Sequence, residues 1–197
     1  MAYTVYTKTY SEPDYNIKEI LRYAGVKEST KEIDSLLADA LSEVKGRLSY
    51  KVCYAEMPIY LSEDQIDLTF AKTSSRDLRK NLQSCDSIIL FAASVGLEID
   101  RLVARYLSVS PAKALMLQAI GAERIESLCD RFNDDIKKEK GVIRPRFSPG
   151  YGDLPIEIQK DIFGALDCPR RIGLTLNENL LMSPTKSVSA IIGIVKR

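Results

Sequence analysis

The sequence predicts a single α+β domain in which an antiparallel or mixed twisted sheet is covered by helices. Three observations carry this. The chain has 197 residues, 45% of them hydrophobic and 28% charged, which is enough for one sizeable core. Helical and strand periodicities are mixed along it without a strict strand–helix–strand rhythm, so a layered domain is favoured over a doubly wound one. The run Ser87-Ile88-Ile89-Leu90-Phe91-Ala92 is of strand length and apolar almost throughout, the pattern of a strand buried on both faces.

The elements follow in order. Ile17, Ile20, Leu21 and Ala24 share a helical face that Gly25 can end. Ser29 and Glu32 form a capping box for a second helix with the stripe Ile33, Leu36, Leu37, Ala40, Leu41 and Val44, closed by Gly46. Alternation then marks strands at Tyr50, Val52 and Tyr54, and at Ile66, Leu68 and Phe70. The sheet is therefore expected to contain the segments near 50–54, 66–70, 87–92 and 187–194. Ser75 caps a short helix carrying Leu78 and Leu82, and Ile99, Leu102, Val103 and Tyr106 open another after Gly96. Ser110 as cap and Pro111 at the first helical position start a long helix over about 111–138, stopped by Gly141. Residues 144–155, RPRFSPGYGDLP, can be neither helix nor central strand and read as a well-defined loop. A helix with Ile158, Ile162 and Phe163 and the strand Ser187–Ile194 complete the chain.

Composition excludes several classes of function. Lys+Arg 28 against Asp+Glu 27 leaves a net charge of +1, too little to hold a nucleic acid by its phosphates. The absence of histidine removes Ser-His-Asp and Cys-His triads and every His-ligated metal or cobalt site. Cys53, Cys85, Cys129 and Cys168 form no CxxC pair and read as thiols of a reducing compartment. No apolar run reaches the roughly 20 residues of a membrane span, and the first ten residues lack a signal-peptide pattern, so a cytoplasmic protein is expected. No dinucleotide fingerprint or phosphate loop is present.

Arg146-Phe147-Ser148-Pro149-Gly150-Tyr151 differs in kind. It joins a guanidinium fork, a stiffened backbone, a glycine open to close approach and an aromatic ring within six residues. Such a loop can hold a carboxylate, offer backbone groups to an adenine or ribose, and place a ring near a sulfonium; it can equally be a proline-rich turn. Glu126 lies at the border of the long helix's apolar stripe, whereas Glu123 is expected to face solvent.

These residues carry a resemblance. The Arg146–Tyr151 loop, Leu154-Pro155, a helix, Gly173-Leu174-Thr175-Leu176 and Met182-Ser183-Pro184-Thr185-Lys186-Ser187-Val188-Ser189 resemble, in order and spacing, the activation (reactivation) domain of vitamin B12-dependent methionine synthase. The resemblance is close over about 117–193. Residues 75–116 resemble its stand-alone forms, and the N-terminal 70 residues are unmatched. What it implies is an activation-domain-like unit over 1–197. Glu126, Arg146, Ser148, Gly150 and Tyr151 would bind S-adenosylmethionine, and no residue would be catalytic or ligate a metal. The family's N-terminal aspartate contact has no recognisable counterpart near Ile20-Leu21-Arg22-Tyr23.

The resemblance further implies a component of cobalamin-dependent methionine synthase rather than an autonomous catalyst. Such a component caps the cob(II)alamin domain of a partner subunit during reductive remethylation. A flavodoxin-like or other electron donor serves it, and neither nucleic acid nor membrane is a partner. Two alternatives stay open: an accessory or regulatory module that contacts a different corrinoid protein without S-adenosylmethionine, and an autonomous S-adenosylmethionine methyltransferase. The absence of a glycine-rich loop and of an activating base counts against the latter.

Overall fold

The computed structural model of the chain describes residues 3–196, so Met1, Ala2 and Arg197 of the expected 1–197 unit lie outside it. In chain order the elements are β1 (Tyr6–Tyr10), α1 (Ile17–Tyr23), α2 (Lys31–Val44), β2 (Tyr50–Pro58), β3 (Tyr60–Leu61), β4 (Ile66–Asp67), β5 (Lys72–Thr73) and α3 (Arg76–Asn81). There follow β6 (Cys85–Ser94), α4 (Glu98–Tyr106), α5 (Pro111–Lys140), α6 (Ile158–Leu166), α7 (Cys168–Ile172), β7 (Thr175–Leu176), β8 (Met182–Ser183) and β9 (Ser187–Val195).

The main sheet has the order β1-β2-β6-β9, with every pairing antiparallel. Alternation along β6 sends Ile89, Phe91 and Ala93 to one face and Ile88, Leu90 and Ala92 to the other, and all six are buried. The first face packs against α1, α2, α4 and α5; the second packs against α3, α6, α7 and the residues around Phe147 and Leu154. The sheet is thus covered on both sides, which explains why β6 needs apolar residues at successive positions. On the first face Phe132 of α5 sits against Phe91 and Tyr54, with ring centroids 4.9 and 5.2 Å away. Such pairs add about 0.5–1.5 kcal/mol each beyond burial.

Several expectations need correction. Residues 66–70 do not join the main sheet. Ile66 and Asp67 belong to a small β3-β4-β5 sheet, and the chain turns where the Asp67 side chain accepts from the Thr69 N–H at 2.9 Å. The cap of α2 is Thr30, which accepts from the Ile33 N–H, while the Ser29 hydroxyl donates to Asp34. Ser110 makes no side-chain cap; Pro111 alone marks the start of α5, which runs two residues past Lys138 to Lys140. β1 went unpredicted.

Candidate functional site

On α5 the residues Glu123, Glu126, Ser127 and Asp130 recur at helical spacing and form one stripe. Asn16, Glu19 and Tyr23 of the α1 segment face it, and together these residues line a cleft of about 220 Å³. Arg146, from the loop, meets two of these residues. Its Nη2 donates to a carboxylate oxygen of Glu126 and to one of Asp130, each at 3.0 Å. Its Nη1 is buried, with no hydrogen-bond partner among the described residues. Beside it, burial pushes the Cys129 thiol up to about 12, against the pull of the Arg146 guanidinium, so the sulfur stays protonated.

The loop is built by short-range bonds. Phe147 exchanges both backbone hydrogen bonds with Ile191 of β9 at 2.9 Å. The Tyr151 N–H donates to the Ser148 carbonyl at 3.1 Å and the Gly150 N–H to the Leu154 carbonyl at 2.9 Å. Gly150 has φ +82, a conformation that a side chain strains, and a Cβ there would meet Ile156 Cδ1 at 3.0 Å. The Tyr151 ring meets Phe147 edge-on at 5.5 Å and is otherwise 70% exposed.

The structure joins Glu126 directly to Arg146. Ser148, Gly150 and Tyr151 connect to Arg146 through the turn. The expectation for Glu123 is overturned. It is 2% exposed, and it accepts from Arg124 Nε and Nη2 at 2.6 and 2.7 Å, from the Ser127 hydroxyl at 2.6 Å and from the Asn16 N–H at 3.2 Å. Arg124, fully buried, donates to the Pro13 and Asp14 carbonyls at 2.5 and 2.7 Å and stacks on the Tyr15 ring at 3.8 Å. The reason is packing. α1 covers the α5 face that helical periodicity alone assigns to solvent, and the ion pair ties the chain before α1 to it.

Asn16, Glu19, Tyr23, Ser127 and Asp130 escaped the sequence reading. Asp130 alone had a local signal, its i+4 spacing from Glu126. A larger open cleft of about 620 Å³, lined by Phe163, Gly164, Pro169 and Leu176 among others, contains none of the five predicted residues.

Glu126 and Asp130 outnumber the single guanidinium that bridges them, so the first cleft suits a ligand that brings both an ammonium and a carboxylate.

The family model described as vitamin B12 dependent methionine synthase, activation domain, matches residues 71–196. Among solved structures, the crystal structure of the MetH reactivation domain bound to AdoHcy aligns with a TM-score of 0.68 at 17% identity, over 97% of this chain and 78% of that one. At that identity the likeness is one of fold. It extends over the first 70 residues, which the family model leaves out. Curated proteins give no match in sequence.

Proposed function

Since the chain belongs to the family of vitamin B12-dependent methionine synthase activation domains, we propose that it binds S-adenosylmethionine in the α1–α5 cleft and presents it to cobalamin carried by a separate partner. When bound, S-adenosylmethionine would supply a methyl group to cobalt that a flavodoxin-like or other donor had first reduced by one electron, and would leave as S-adenosylhomocysteine. The chain's own residues bind and orient. Arg146 pairs with the ligand carboxylate, and Glu126 and Asp130, released from it, hold the ammonium. The Ser148–Gly150 backbone contacts the nucleoside, and the exposed Tyr151 ring covers the ligand on the side open to the partner. The whole of 1–197 acts as one unit, because β1 and β2 complete the sheet and α1 supplies one wall of the cleft.

The observation that carries this reading is Arg146 Nη2 bridging the Glu126 and Asp130 carboxylates, both of which line the cleft. Calorimetric titration with S-adenosylmethionine tests it, with and without a cobalamin-loaded methionine synthase lacking its own activation domain. Binding by the wild type that falls about 10- to 100-fold in Arg146→Ala supports the assignment. Arg146→Lys recovers only part, because an ammonium cannot present a two-pronged donor. Equal affinities at unchanged melting temperature would refute it. They would favour the accessory-module reading, in which Arg146 serves only to tie the loop to α5 through Glu126 and Asp130.

A further inference from the structure

The Arg146–Tyr151 loop is gripped at both ends by one short helix. At the start of α3 the Asp153 carboxylate accepts from the Ser75 hydroxyl, from the Arg76 N–H at 2.8 Å and from the Asp77 N–H at 3.1 Å. At its last residue, Asn81 Nδ2 donates to the Pro145 carbonyl at 3.0 Å. Just beyond, Arg144 Nη2 donates to the Gln83 carbonyl at 2.8 Å. Residues 146–152 arch between these two attachments. The helix is itself anchored, since Leu78 and Leu82 are fully buried in the core of the second face. Gly152, at φ +56, lets the arch approach closely: a Cβ there would lie 2.5 Å from Asp77 Oδ2.

We propose that α3 is a brace that presets the ligand loop, with Asp153 and Asn81 as positioning residues. This rests on the reading that the loop binds S-adenosylmethionine. The physical ground is preorganisation. A loop released at either end populates other arrangements, and apparent affinity falls in proportion to the fraction that remains competent. Asp153 is suited to the task as an anion. The Ser75 hydroxyl and then the Arg76 N–H hold its carboxyl below the usual range, so the grip is charge-assisted under ordinary conditions. Asp153 bonds to the start of α3 and Asn81 to the Pro145 carbonyl, not to Glu126, Asp130 or Arg146, so their effect on binding passes through the loop.

The test is S-adenosylmethionine calorimetry on the full chain for wild type, Asp153→Ala, Asn81→Ala and Thr30→Ala, with amide exchange followed at Gly150 and Tyr151. Thr30→Ala removes the N-cap of α2, away from the loop, and serves as the stability control. Asp153→Ala is expected to weaken binding about tenfold and Asn81→Ala somewhat less. Both should speed exchange at Gly150 and Tyr151, while Thr30→Ala lowers the melting temperature with affinity unchanged. Should Asp153→Ala fail to fold, Asn81→Ala alone decides, since it deletes a single exposed hydrogen bond. Wild-type affinity in both loop variants, or an equal loss in Thr30→Ala, would overturn the brace while leaving the ligand reading intact. A wild type that does not bind would overturn the ligand reading and the brace with it.

Discussion

Replacing Glu123 with alanine takes the counter-charge from an arginine that has no access to water. Arg124 is fully buried and Glu123 2% exposed. The variant leaves the guanidinium with the Pro13 and Asp14 carbonyls and the Tyr15 ring but no anion. It also orphans the Asn16 N–H and the Ser127 hydroxyl. Breaking a buried pair by removing one partner costs about 3–5 kcal/mol, and for a domain of this size each kcal/mol moves the melting temperature by about 2–4 °C. The variant should therefore melt about 6–20 °C below wild type, in either a thermal scan or a urea titration. The paired replacement Glu123→Leu with Arg124→Met leaves no isolated charge and should lose less than either single variant. A loss for Glu123→Ala below about 1 kcal/mol would return the residue to the solvated face that periodicity assigns it and refute the clamp.

Asp135 joins β1 to α5 through Lys8 at 2.5 Å and the Tyr10 hydroxyl at 2.9 Å. The Lys8 bond holds its carboxyl below the ordinary 3.8. A carboxyl lowered on folding gives stability that is complete above the unfolded value and lost as pH falls through the folded one. Wild type should thus lose more melting temperature than Asp135→Asn between pH 5 and 3, and parallel profiles would count against the link. Glu126→Ala removes one of the two carboxylates on Arg146. Its S-adenosylmethionine affinity should lie between those of wild type and Arg146→Ala, about 3- to 10-fold below wild type. An affinity above wild type would show that Glu126 competes with the ligand for Arg146 more than it holds it.

What was legible in the sequence were features written in consecutive residues. The doubly buried β6, the α2 and α5 stripes and the Arg146–Tyr151 turn each declare themselves through period, proline or glycine. Glu126 was legible because its place on the stripe border follows from the helix alone. Tertiary contacts made the rest invisible. Glu123 looks solvent-facing until α1 lies over it, and the segment supplying Asn16 is held by Arg124, far away in sequence. Tyr6–Tyr10 carries no apolar alternation, since four of its five residues are exposed at the sheet edge. Only pairing with β2 makes it a strand. At 66–70 the alternation was real, but one Asx turn at Asp67 overrode it.

The position of β9 bears on how the protein is made. β6, at 85–94, is flanked in the finished sheet by β2 and by β9, at 187–195. During synthesis β2 precedes β6, but the strand for its other edge emerges only after α4 to α7 have been made. Until then β6 carries apolar side chains on both faces and a row of unpaired backbone groups along one side, the profile of a segment that templates wrong pairings. The loop that pairs with β9 through Phe147 cannot close before β9 arrives. The Arg146–Tyr151 loop is thus among the last parts of the chain to take shape. A ribosome-bound or truncated chain ending before residue 187 should depend on holdase chaperones, and ligand cannot rescue it, because the strand that seats the loop does not yet exist.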